Sequence, residues 1–323
     1  MRSRDEVLPS VVEAIADTPV VRLSRLTKEL DGEIVAKLDY LNPGHSRKDR
    51  VARQIIEDAE EQGELRPGQT VVELTSGNTG TGLAIVCAVK DYPFVAVMSR
   101  GNSPERARMM RALGADVILV DQAAGSSGGT VSGEDLDLVE EVTRQIEKER
   151  GAFRADQFAH PGGTRAHAVH TAVEFLAQTC GKIDAFCDFV GSGGSFAGCS
   201  MVFKSRNPSI KCYVVEPTGA AVLAGGLSSN LHHRIQGGGY SRRDLPHLRG
   251  VKIDGFLSVS DEQAVECARN LACKEGIFAG FSTGANLAAA IQLLRGELRG
   301  KTIAIIVCDS GMKYLSTDLW PGA

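Results

Sequence analysis

Short apolar runs rich in β-branched residues recur along the chain, separated by longer segments whose apolar positions fall at helical spacing. The runs 33–40 ("EIVAKLDY"), 70–74, 94–99, 116–121, 184–190, 210–216, 256–260 and 302–308 predict strands. Segments 48–62, 79–90, 103–113, 134–150, 163–179, 261–275 and 284–295 predict helices. Such alternation implies an α/β fold of mostly parallel sheets covered by helices on both faces. Runs that are apolar almost throughout, instead of alternating, suit strands buried on both sides. The Gly/Ser-rich stretch "AAGSSGGTVSGEDL" (123–136) breaks the pattern ahead of an acidic helix; it reads equally as an active-site flap or a flexible excursion.

At 323 residues the chain is long enough for two domains. A net charge of -4 with scattered basic residues excludes a nucleic-acid footprint. No apolar run reaches membrane-spanning length. The first twenty residues carry acids where a signal peptide needs an unbroken apolar stretch, so a cytoplasmic protein is expected. Eight cysteines lie apart without a Cys-x-x-Cys pair, mostly in apolar runs, as reduced buried thiols would. The seven histidines form no ligand spacing, and no metal is expected.

Chemistry gathers at turns. "NPGHSRKDR" (42–50) sets Lys48 in the first turn of a predicted helix, where the macrodipole is already positive and a cation is disfavoured. That setting suits either an exposed lysine or an amine whose lowered pKa makes it a nucleophile. Three glycine-rich turns follow predicted strands. "LTSGNTGTGLA" (74–84) offers hydroxyls, an amide and backbone N–H groups to a carboxylate. "VGSGGSFAG" (190–198) can nest a phosphate. With Glu216 ending the next strand it imitates a dinucleotide site, but Phe196 stands where G-x-G-x-x-G needs its last glycine. "AGFSTGANLAAA" (279–290) adds Ser282 and Thr283 at another helix start.

Together these pieces resemble the cysteine synthase (O-acetylserine sulfhydrylase) and cystathionine β-synthase family, the fold-type II pyridoxal-phosphate enzymes related to the tryptophan synthase β-subunit. The likeness runs from "TPVVRLSRL" (18–26) to "DSGMKYLST" (309–317), with "KDR", "TSGNTG", "GSGGS" and "VEP" in family order between them. The resemblance implies two αβα domains, a smaller mobile one over 43–152 and a larger cofactor-binding one over 1–42 and 153–323. It implies pyridoxal 5'-phosphate held on Lys48, with Asn78 on the phenolic oxygen, Gly191, Ser192, Gly193, Gly194 and Ser195 around the phosphate, and Ser282 at the ring nitrogen. Thr75, Ser76, Gly77, Thr79 and Gln157 would take the substrate carboxylate, beside Gly237 and Tyr240. The implied reaction is β-replacement through an aminoacrylate, by a homodimer acting on a small amino acid and a small nucleophile.

The departures from the family bear on that nucleophile. His45 and Arg47 stand where many relatives carry a small and an apolar residue, and Leu74 and Cys308 where proline is frequent. "GGGYSRRDLPHL" (237–248) replaces the usual gorge loop, and its Asp244, if turned inward, is a candidate general base. Sulfide addition to an activated serine is the leading reading. Release of hydrogen sulfide from cysteine, with serine formed from water, is the alternative; a cofactor-free paralogue serving as an interaction partner is a third.

Overall fold

The computed structural model describes residues 7–75, 77–124, 131–228 and 233–320. Candidate Ser76 and the middle of the Gly/Ser-rich stretch therefore lie outside the described residues. Two sheets organise the chain. The first has the order β1 (Val20–Arg22), β2 (Gly32–Lys37), β10 (Lys301–Ile306), β7 (Ala185–Phe189), β8 (Lys211–Pro217) and β9 (Gly255–Val259). It is parallel apart from β1, which runs antiparallel to β2. The second is wholly parallel, with the order β5 (Asp116–Val120), β4 (Phe94–Ser99), β3 (Val71–Leu74) and β6 (Phe153–Arg154). Among the described residues no helix is long and apolar enough to cross a membrane.

Successive strand residues point to opposite faces, so a continuously apolar strand feeds two cores. Val71 and Ala96 pack with Val51 and Ile55 of α1 (Lys48–Gln62) and Leu83 of α2 (Asn78–Lys90), while Val72 and Val97 face Leu136 and Val139 of α4 (Gly133–Arg150). The larger sheet sends Cys187 and Ile305 towards α8 (Asp261–Glu275) and α9 (Phe281–Arg295). It sends Phe186 and Ala304 towards α7 (Gly194–Arg206) and Phe175 of α6 (Ala172–Gln178). Each unit is thus three layers, helix–sheet–helix.

This layering fixes where a ligand can sit. From β3 the chain runs through α2 to β4 on one face, whereas β6 is reached on the other side of β3 by way of α4. From β7 it runs through α7 to β8, whereas β10 returns to the other side of β7 by way of α8 and α9. Strand order reverses at both places, and the crevice outside the carboxyl ends of such strands is where α/β sheets bind ligands. The segments that leave those ends carry Thr75, Gln157, Gly191 and Asp309.

Strand 33–40 stops at Lys37 because Asp39–Leu41 turns into a 3₁₀ segment. The helix expected over 163–179 holds a π-helical turn, His167–Thr171, between Gly162–Ala166 and α6. Two short strands, β1 and β6, carry too few residues to display a period.

Candidate active site

Ser132 and Ser260 head α4 and α8 with complete capping boxes. Helices α2, α7 and α9, which open onto the crevice, have no side-chain cap. Of their first-turn N–H groups, Gly80 donates to Thr75 Oγ1 and Thr283 to the Gly280 carbonyl, which leaves the earlier ones to meet an anion.

Lys48 begins α1, and its Nζ lies 3.1 Å from Oε1 of Gln157 and 3.4 Å from the Ser192 hydroxyl. Burial, with the Arg47 cation next, lowers its pKa to about 8, against the opposing pull of Glu73 and Asp188. Gln157 gathers the carboxylate-site residues. Its Oε1 also accepts from the Thr79 hydroxyl (2.6 Å), and its amide nitrogen donates to the Leu74 carbonyl (3.0 Å). Thr75 Oγ1 accepts from the backbone N–H of Gly77 and of Gly80, each at 2.9 Å. Gly77 sits at φ +123°, and an added Cβ would strike the Arg106 side chain.

The 190–195 segment, the expected phosphate cup, curls from β7 into α7. At Gly191 a Cβ would lie 2.4 Å from the Gly237 carbonyl, and at Gly238 one would lie 2.5 Å from the Val190 carbonyl. Gly238 and Gly191 therefore let the two segments approach closely, while Gly237 and Gly239 hold positive φ of +96° and +67°. Ser195 donates its hydroxyl to Asp188 Oδ2 at 2.5 Å. An Ser195 proton so committed leaves backbone N–H groups and Ser192 to meet an anion. Asp188 also pairs with Arg47, whose guanidinium donates to the Phe189 carbonyl at 3.1 Å. The polar residue at position 47 thus has a buried partner under the cup.

Ser282 is buried in the first turn of α9, and burial pushes the Cys308 thiol up to about 12. Asn78 opens α2, its amide held between Asp309 and Lys313. Tyr240 meets Phe158 edge to face at 6.1 Å. Asp244 departs from expectation: it is exposed and ion-paired with Arg249, which keeps its carboxyl below the ordinary value. The inward, desolvated base is not formed, because the carboxylate faces solvent and is engaged by Arg249 just past the loop. Glu216 likewise has a local task, accepting N–H bonds from Val222, Leu223 and Ala224.

Sequence reading missed several residues that long-range packing supplies. Glu73 is fully buried, its carboxyl raised to about 7 chiefly by desolvation, and it accepts from Arg154 and the Gln157 backbone. His247 bonds the Gln157 carbonyl through Nε2 (3.0 Å) and Thr164 through Nδ1 (2.9 Å), linking the variant loop to the lysine's partner. Only "LPHL", already singled out, hinted at it.

A half-buried amine facing helix starts without N-cap side chains, at the switch points of two mostly parallel sheets, makes a candidate lysine-and-anion site. The donor set fits pyridoxal phosphate: an amine of lowered pKa for the aldehyde, helix N–H groups for the phosphate, and a primary amide beside them. The chain belongs to the pyridoxal-phosphate dependent enzyme family, whose model matches residues 11–309. A cysteine synthase of Staphylococcus aureus (strain N315) is 37% identical over 313 residues, 96% of each chain. A hydrogen sulfide-producing enzyme of Fusobacterium nucleatum superimposes with a TM-score of 0.87 and 36% identity, over 96% of this chain and 100% of its own. An O-acetylserine dependent cystathionine beta-synthase of Helicobacter pylori gives 0.88 and 30%, over 98% and 99%. The protein is a pyridoxal-phosphate-dependent enzyme of the cysteine synthase type, performing β-replacement on an amino acid with a small nucleophile.

Proposed function

We propose that this chain joins an O-acetylated or similarly activated serine to sulfide. The observation that carries the choice is the placement of Asp244. Exposed and paired with Arg249, it does not serve as the base that addition of water would need, whereas hydrosulfide attacks without one. When bound, pyridoxal phosphate supplies the electron sink for the carbanion at Cα. Lys48 holds the cofactor and, once released by the substrate amine, moves the Cα proton through its Nζ. Its lowered pKa supports that work, since more of the amine is neutral near pH 7. Thr75, Ser76, Gly77, Thr79 and Gln157 bind the substrate carboxylate and so orient the Cα–H bond. Asn78 donates to the phenolic oxygen, the 191–195 turn takes the phosphate, and Ser282 faces the ring nitrogen as a neutral hydroxyl. Gly237 and Tyr240 border the entry.

In this reading the unit over 43–152 moves against 1–42 and 153–323 as substrate enters. The enzyme works as a cytoplasmic homodimer, a setting that eight unpaired cysteines favour. The test offers O-acetylserine, O-phosphoserine, serine and cysteine with sulfide, thiols or water, and identifies products by mass spectrometry. Cysteine from O-acetylserine and sulfide is the expected product. Serine and sulfide from cysteine and water, at a greater rate, would reverse the assignment.

A further inference from the structure

The Asn78 amide is gripped at both ends. Its Oδ1 accepts from Lys313 Nζ at 2.7 Å, and its Nδ2 donates to Asp309 Oδ2 at 2.7 Å. An ammonium can only donate and a carboxylate can only accept, so chemistry alone excludes the flipped amide. Neither partner is free to turn. Asp309 Oδ2 also accepts from the buried Tyr314 hydroxyl at 2.7 Å, and Lys313 Nζ also donates to the Gly44 carbonyl at 2.7 Å. Lys313 is 1% exposed and Asp309 0%, so water cannot substitute for either. The grip spans three elements: the start of α2, the turn that leads to Lys48, and the segment after β10, where Asp309 also bridges to Ser46.

We propose that Lys313 and Asp309 are positioning residues that lock the Asn78 amide in one orientation, committing one of its N–H bonds to Asp309 and reserving the other for the cofactor. The inference rests on the proposed role of Asn78 at the phenolic oxygen. A buried lysine otherwise has no evident task in this reaction. A carbonyl of Asn78 turned towards the phenolic oxygen would repel it, so a free amide would spend part of its time misaligned.

The test is a double-mutant cycle on the holoenzyme with Asn78→Ala and Lys313→Met, read in two ways. One readout is the visible absorbance of the bound cofactor, whose band positions report hydrogen bonding at the phenolic oxygen. The other is kcat/KM. Lys313→Met is expected to alter the band ratio as Asn78→Ala does and to lower kcat/KM by about 10- to 100-fold, as loss of a charge-supported hydrogen bond would. In the Asn78→Ala background it should add less than about twofold in rate and leave the spectrum unchanged, the non-additivity of residues acting as one. Asp309→Ala, which removes the acceptor at the other end, should be non-additive in the same way. It supplies the answer should Lys313→Met fail to fold. Additive losses with an unaltered single-mutant spectrum would overturn the clamp while leaving the enzyme reading intact. A wild type that takes up the cofactor but is indifferent to Asn78→Ala would overturn the Asn78 role and the clamp with it.

Discussion

Lys48 raises its reactivity by position. Placed in the first turn of α1, beside Arg47 and out of bulk water, its amine sits near 8 where an ordinary lysine sits at 10.5. The neutral amine is the form that captures an aldehyde. Reconstitution of the apo-protein with pyridoxal phosphate should therefore quicken about tenfold per pH unit up to roughly pH 8 and level off above it. Stopped-flow absorbance checks this; a rate still climbing at pH 10 would mean an ordinary lysine. Asp244 supports an opposite expectation. Because it is exposed and engaged with Arg249, Asp244→Asn should leave kcat and kcat/KM within about twofold in a steady-state assay. Lys48 and Asn78 were legible in the sequence as candidates because each stands in a contiguous motif at a helix start. Lys313, Asp309 and Glu73 were not, since their partners lie far away along the chain and only the fold brings them together.

At the scale of elements, α1 is anchored by its third residue. Arg50 is buried and reaches Asp39 after β2 and both carboxylate oxygens of Glu174 in α6, while Lys37 of β2 adds a second cation to Glu174 at 2.8 Å. The sequence displayed "KDR" as a charged cluster; the structure makes its arginine the tie between the lysine-bearing helix and the larger sheet. These cations depress the Glu174 carboxyl to about 2, from an ordinary 4.5, against the upward push of its burial. A depressed folded pKa stabilises above the unfolded value, so the contribution is complete above pH 4.5 and fades as pH falls towards 2. Glu174→Gln should destabilise the protein by about 3 kcal/mol at pH 7 and progressively less below pH 4.5. Urea melts across that range measure it; a pH-independent loss would assign the effect to packing. Strands and long helices were readable because their periods are local. The π-helical turn and the two short strands were not, because tertiary pairing creates them.

For the whole molecule, two parallel sheets reverse strand order at β3 and at β7, and the loops from those points meet around Lys48. Apolar runs between helical segments already implied parallel sheets covered by helices, and the family resemblance implied two such domains and the cofactor; neither set the strand order. The sequence could not tell that Gly238 serves close packing against Val190, nor that Asp244 faces solvent, because those depend on approach distances between remote segments. One lysine serving one cofactor is the centre of this frame. Borohydride reduction of the purified holoenzyme, followed by peptide mass spectrometry, tests it most directly. The phosphopyridoxyl mass should fall on Lys48 alone, with the label lost in Lys48→Ala. The same mass on any other lysine would contradict the account.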